Sequence, residues 1–111
     1  MSEDFLPKPF SCEVGHDDGT ARVRPVGELD ISTVPVLEEQ LRQARADGAR
    51  RVVVDLRGLE FMDSTGLTLL ARWAVGAERD GYTFALVSGS DRIQRLFDLT
   101  GLGAVFTFVD G

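Results

Sequence analysis

Apolar residues recur with two different periods along this chain, and these periods divide it into strands and helices. Short β-type runs over residues 10–14 and 21–26 flank Asp18-Gly19, a pair typical of tight turns, so they predict a β-hairpin. Pro25 has no amide hydrogen to donate. We therefore expect its strand to lack a hydrogen-bonded neighbour on one side at that point.

Three helices are predicted from apolar residues at helical spacing. The first covers residues 34–47 and has Ser32 or Thr33 as its cap. The second begins at Ser64, and Ser90 caps a third, short helix. The residues expected to face the core are, helix by helix, Val34, Leu37, Leu41 and Ala44; Leu67, Leu70, Ala71, Ala74 and Val75; and Ile93, Leu96 and Phe97.

Three further strands are predicted, over residues 52–56, 83–87 and 105–109. The first of them is apolar without alternation, as a central parallel strand buried on both faces would be. The pattern is a β-hairpin followed by three helix–strand units. Right-handed crossovers of this kind give an α/β fold whose mixed sheet is mostly parallel, with one antiparallel edge strand. The pattern leaves open whether the helices cover one face of the sheet or both.

The chain has 111 residues, enough for one domain with a single core. Residues 1–9, which include two prolines, are interpreted as a flexible leader, and residues 10–111 as the domain. The net charge of −6 argues against nucleic acid as a direct partner, because phosphate binding needs a basic face.

Composition also limits the chemistry that the chain can perform. The single cysteine, Cys12, forms no internal disulfide and favours a reducing compartment. No apolar run approaches the roughly 18 to 20 residues that cross a membrane, so a cytoplasmic protein is expected. One histidine and one cysteine make no metal cluster, and no Gly-Lys-Ser/Thr loop is present. We expect no cofactor and no metal.

The segment from Phe61 to Leu67 carries the most specific chemistry. It places the Ser64 hydroxyl at the start of a helix, beside the carboxylate of Asp63 and before Gly66. The first amides of a helix have no partner within it, so this serine fits two roles. It can cap the helix, or it can carry a phosphate that the free amides would receive.

Three segments, taken in order, resemble the STAS domain of bacterial anti-sigma factor antagonists. They are Gly27-Glu28-Leu29-Asp30, the stretch 56–67 and the stretch 95–102, and the resemblance covers roughly residues 10 to 109. It implies a small sheet with helices mainly on one face. The family usually has one more helix after the last strand, which we expect to be absent because the chain stops at Gly111.

The resemblance also implies a function in the regulation of transcription, as in partner-switching pathways of stress response and sporulation. The unphosphorylated protein would bind an anti-sigma factor that is also an ATP-dependent serine kinase, and so free the sigma factor. Phosphorylation at Ser64 would end this binding, and a PP2C-type phosphatase would restore it. The residues expected to contact the partner are Glu28, Asp30, Asp63, Ser64, Thr65, Gly66 and Asp91.

Two other functions compete with this hypothesis. The chain could be a STAS scaffold subunit of a stress-sensing assembly or a transport accessory module, whereas an antagonist is expected to be a monomer or weak dimer. A serine hydrolase would need Gly-x-Ser-x-Gly around its nucleophile, but Met62 stands where the first glycine belongs. Its general base would have to be His16, in the hairpin. We therefore predict a binding protein and not an enzyme.

Overall fold

The computed structural model describes residues 9–111, so the predicted leader, except for Pro9, lies outside the described residues. The fold is mixed α/β, as predicted. Its elements in chain order are β1 (Ser11–Asp17), β2 (Thr20–Leu29), α1 (Val34–Ala46), β3 (Arg51–Asp55), β4 (Leu59–Met62), α2 (Ser64–Asp80), β5 (Thr83–Val87), α3 (Asp91–Thr100) and β6 (Phe108–Val109). The six strands form one mostly parallel sheet with β1 as its antiparallel edge.

The hairpin of β1 and β2 turns at Asp18-Gly19, as predicted. Both residues have positive φ angles, 47° and 80°, which the tight two-residue turn of a twisted hairpin requires. On its other side β2 pairs with β3 over residues 20–23 and with β4 over residues 27–29. Pro25 lies in the gap between these two ladders, so the expected unpaired position is confirmed.

Strand β4 was not predicted. Asp55 ends β3, and its carboxylate accepts a hydrogen bond from the Arg57 amide, which starts one turn of 3₁₀ helix over Leu56–Gly58. The chain then continues beside β2 as β4, where only Leu59 and Met62 are buried. Two buried positions separated by two exposed ones lack the alternation of a strand, and their spacing of three is a helical one, so the pattern gave no strand signal here.

The last predicted strand was largely wrong. Residues Leu102–Val105 form a second 3₁₀ turn, and only Phe108–Val109 pair with β5. Apolar side chains in this stretch pack into the core, and most of its backbone forms no strand pairing. The Phe106 ring stands edge-on to the ring of Phe97 on α3, with centroids 5.2 Å apart.

The main core lies between the helices and one face of the sheet. Alternate residues of the central strands point into it, among them Val23, Val52 and Leu86. Within the described part of the chain, the opposite face carries a small apolar cluster of Val53, Ala85 and Val87. The helices are therefore mainly on one face, as the resemblance implied. Among residues 9–111, no helix is long and apolar enough to cross a membrane.

The predicted core faces of α1 and α3 agree with the structure, and that of α2 is partly wrong. Val75, expected in the core, is 62% exposed, whereas Leu69 and Ala77 are buried. α2 packs against α1 as well as the sheet. The buried part of the surface of α2 therefore includes Leu69, and Val75 lies on the side of the helix that faces the solvent. Ser90 caps α3 as predicted, since its hydroxyl accepts a hydrogen bond from the Ile93 amide.

Candidate functional site

The carboxyl ends of β2 and β4 lie side by side and bring two loops together. The strands are parallel, Leu29 is paired with Met62, and the Asp63 amide donates a hydrogen bond to the Leu29 carbonyl at 3.2 Å. One loop leads from Asp30 into α1, and the other leads from Asp63 into α2. Two segments that are more than thirty residues apart in the chain thus form one surface.

Asp63, and not Ser64, is the N-cap of α2. Its backbone is extended (φ −104°, ψ −173°), and its side chain accepts hydrogen bonds from the amides of Thr65 at 2.9 Å and Gly66 at 3.3 Å. The Thr65 hydroxyl donates to the same carboxylate oxygen. This corrects the expected capping role of Ser64, because the capping side chain must precede the first helical residue.

Ser64 is the first residue inside α2, and it is exposed. Within residues 9–111 its hydroxyl takes part in no hydrogen bond with another side chain or the backbone, so nothing in this part of the chain holds it. The amides expected to receive a phosphate at this position belong to Thr65 and Gly66, and the Asp63 carboxylate occupies both. The anion site at this helix terminus is thus filled in the unmodified chain.

Gly66 is buried, and its neighbours leave no room for a side chain. A Cβ atom there would lie 2.8 Å from Cγ of Met62 and 2.9 Å from Cγ and Cδ2 of Leu29. Glycine therefore lets the first turn of α2 lie directly on the ends of β2 and β4. This close packing fixes the position of Ser64 relative to the neighbouring loop.

The loop after β2 is held by a compact network of hydrogen bonds. The Thr33 hydroxyl accepts from the Asp30 amide at 2.9 Å and donates to the Glu28 carbonyl at 2.7 Å. The Asp30 carboxylate accepts from the Ser32 hydroxyl at 2.6 Å and from the Ser32 amide at 2.9 Å. These bonds hold the pKa of Asp30 below its usual value, the Ser32 hydroxyl contributing most. Thr33 thus occupies the cap position of α1, but its hydroxyl bonds within the loop and accepts no hydrogen bond from an amide of the helix. The predicted side-chain cap is therefore wrong.

Asp91 is exposed at the first position of α3, a helix that packs against β4. Among residues 9–111, no hydrogen bond or ion pair joins Asp91 to the two loops, whereas the bond from the Asp63 amide to the Leu29 carbonyl joins those loops to each other. Glu28 is exposed at the end of β2, in register with Phe61 of β4. The site is therefore acidic on several sides.

Sequence reasoning missed two exposed apolar side chains at this site. Ile31 is 77% exposed in the loop after β2, and Phe61 is 41% exposed on β4. An isoleucine inside the turn-forming run from Asp30 to Thr33 was the available signal, since polar residues dominate turns. We call the set Glu28, Asp30, Ile31, Phe61, Asp63, Ser64 and Thr65 the Ser64 surface.

His16 is far from this surface. It lies near the end of β1 beside the hairpin and is paired with Ala21, whereas the Ser64 surface begins at the far end of β2, after Leu29. Eight residues of strand separate Ala21 from Leu29, or roughly 26 Å. The histidine therefore has no access to the Ser64 hydroxyl as a general base.

Known proteins match the chain over nearly all of these elements. A family model described as "Mlab, STAS domain" matches residues 12–109. The chain is 41% identical over 93 residues to an anti-sigma-B factor antagonist of Staphylococcus aureus, covering 84% of this chain and 86% of that protein.

Two solved structures are also similar. The crystal structure of an anti-sigma factor antagonist from Mycobacterium paratuberculosis superposes with a TM-score of 0.78 at 31% identity, covering 96% of this chain and 92% of that one. The phosphorylated form of the Bacillus cell fate determinant SpoIIAA superposes with a TM-score of 0.66 at 25% identity, covering 91% of each chain.

Proposed function

Because this chain belongs to the STAS-domain family of anti-sigma factor antagonists, we propose that its unphosphorylated form binds an anti-sigma factor and thereby frees a sigma factor. The anti-sigma factor is also an ATP-dependent serine kinase, and it ends the binding by phosphorylating Ser64. A PP2C-type phosphatase restores the active form. The chain acts as a cytoplasmic binding protein, monomeric or weakly dimeric, and not as an enzyme.

The observation that carries this proposal is the exposure of Ser64 at the first position of α2. A kinase needs a hydroxyl that can enter its active site, and this one has no hydrogen-bond partner among residues 9–111. Thr65 follows directly, but its hydroxyl is half-buried and donates to Asp63. The contacts therefore favour Ser64 over Thr65 as the acceptor.

Phosphorylation acts through charge in this proposal. A phosphate adds about −1.5 to −2 charges at neutral pH. Asp63 already occupies the helix amides, so the phosphate would face outward, towards a bound partner. A unit charge about 6 Å from a like charge, at an effective dielectric constant near 20, costs roughly 3 kcal/mol. That free energy weakens binding by about a hundredfold without any refolding.

Affinity capture from the native cell with three baits tests the proposal. Wild-type protein and Ser64→Ala should retain a histidine-kinase-like ATPase, and Ser64→Asp should lose it. The captured protein is then purified and incubated with ATP and each antagonist, and mass spectrometry identifies the modified residue. We expect phosphate on Ser64 in the wild type and in Thr65→Ala, and none in Ser64→Ala.

Two results would overturn this proposal. One is retention of the same proteins by wild type and Ser64→Asp; the other is phosphorylation of Ser64→Ala at an unchanged rate. Size-exclusion chromatography of the native complex distinguishes the antagonist from the alternative function. A particle of many subunits would favour the scaffold of a stress-sensing assembly or a transport accessory module, whereas a small complex with the ATPase supports the antagonist.

A further inference from the structure

Ile31 differs from an ordinary exposed apolar side chain in its position. Single exposed hydrophobic residues are common on protein surfaces and need no special explanation. Ile31, however, lies two residues beyond Leu29 on β2, and Ser64 lies two residues beyond Met62 on β4. Leu29 and Met62 are paired in the parallel ladder. The isoleucine and the serine therefore lie at the same end of the sheet, just after two adjacent strand ends.

The turn that carries Ile31 is rigid. The amides of Thr33 and Val34 both donate to the Asp30 carbonyl, at 3.1 Å and 2.8 Å. The Asp30 carboxylate and the Thr33 hydroxyl close the turn from its two sides. An apolar side chain on a turn that is already ordered loses little backbone entropy when a partner covers it. Ile31 is thus presented to the solvent by a preformed loop.

The charges around Ile31 specify the kind of surface that fits it. Glu28 and Asp30 lie on the same segment of chain as Ile31, Asp63 lies on the adjacent loop, and no lysine or arginine belongs to the Ser64 surface. Strong interfaces place an apolar contact in the centre and charged groups at the rim. The complementary partner surface is an apolar recess whose basic groups face Glu28 and Asp30, while the group that repels the phosphate faces Ser64.

We propose that Ile31 is the apolar anchor by which this protein holds its anti-sigma factor, inserting into an apolar recess beside the kinase active site. This inference rests on the proposed function and adds a residue to it. Ile31 supplies affinity, and Ser64, after the adjacent strand end, supplies the charge that ends binding. The two residues act on the same complex by different physical means.

Titration calorimetry with the purified ATPase from the capture experiment tests the anchor. The variants are Ile31→Ala, Ile31→Leu and, as a matched control, Val75→Ala. Val75 is also exposed but lies eleven residues after Ser64 on α2, about 16 Å further along the helix axis. Ile31→Ala should weaken binding by about tenfold or more, as truncation of a central apolar contact does. Ile31→Leu should recover most of the affinity, and Val75→Ala should match the wild type.

A kinetic readout separates anchoring from chemistry. Ile31→Ala should raise the KM for phosphorylation of Ser64 and leave kcat near the wild-type value, because the anchor lies outside the transferred group. Thermal unfolding of each variant should match the wild type, since the side chain packs on nothing that folding requires. A loss of affinity with an unchanged unfolding temperature supports the anchor.

The outcomes distinguish this inference from the proposed function. If Ile31→Ala binds within about twofold of the wild type while Ser64→Asp does not bind, the anchor is wrong and the charge switch stands. An equal loss in Val75→Ala would also overturn the anchor, because the effect would then be general to exposed apolar residues. If wild type binds no anti-sigma factor, the proposed function fails and the anchor fails with it.

Discussion

Replacing Gly66 with alanine tests the close packing that positions the Ser64 surface. The added Cβ would lie 2.8 Å from Met62 and 2.9 Å from Leu29, both of them buried side chains. Real Cβ atoms do not approach other atoms so closely, so the first turn of α2 or the ends of the strands must shift. Overpacking of a core in this way costs about 1 to 3 kcal/mol.

A compensating gain has to be subtracted from this cost. Alanine is favoured over glycine inside a helix by about 1 kcal/mol. The expected net loss in the free energy of unfolding is therefore about 1 kcal/mol, which lowers the unfolding temperature of a domain of this size by about 4 °C. The measurement is urea or thermal unfolding followed by circular dichroism.

Gly76→Ala supplies the matched control. Gly76 is also buried and also lies in α2, but a Cβ there would meet only the end of the flexible Arg79 side chain, at 3.6 Å. We expect this variant to gain up to about 1 kcal/mol from helix propensity alone. The same substitution in one helix should thus have opposite signs at the two positions. Gly66→Ala as stable as the wild type would refute the argument, since the strand ends would then yield without cost.

Three further outcomes are expected. Asp63→Ala should lose about 1 kcal/mol of stability because the amides of Thr65 and Gly66 lose their acceptor. Asp63→Asn should cap the helix nearly as well, and chemical denaturation compares the two variants. Thr33→Val should also cost about 1 kcal/mol, by removing both hydrogen bonds of the hydroxyl, and hydrogen exchange should show a more open turn. Asp55 is the third case: hydrogen bonds and charge from Arg57 hold its pKa below the ordinary value. Its contribution to stability is therefore complete above the unfolded pKa, about 3.9, and is lost as pH falls through the lower folded value. Asp55→Asn should flatten the acid limb of a stability–pH curve, and an unchanged limb would contradict the role of this pair.

Local sequence signals were sufficient to predict an element wherever its structure depends on its own residues. The bounds of α1, to within one residue, followed from apolar spacing, and the start of α3 followed from its cap Ser90. The hairpin turn followed from Asp18-Gly19, a pair that adopts the positive φ angles of a tight turn. The three segments that resemble the STAS domain also indicated the family, because their order and spacing are properties of the chain alone.

For the Ser64 surface, the sequence indicated the two segments that form it, but it missed Ile31 and Phe61 and misassigned the cap of α2. Ser64 was correctly placed at the start of α2, yet the cap proved to be Asp63, one position earlier. A shift of one residue at a helix terminus depends on where the preceding strand ends. Here β4 ends at Met62 because it pairs with β2, and that pairing joins segments distant in the chain.

By itself, the sequence determined the helices, the hairpin and the central strands, the family and the choice of Ser64 as candidate phosphoacceptor, because periodicity, turn chemistry and motifs are short-range properties. Only the tertiary structure decided that β4 exists, that Gly66 is a packing residue and that the segments carrying Ile31 and Ser64 follow adjacent strand ends. Each of these depends on the register between β2 and β4. Such a register is set by the burial of side chains on one face of a whole sheet, which no single segment specifies.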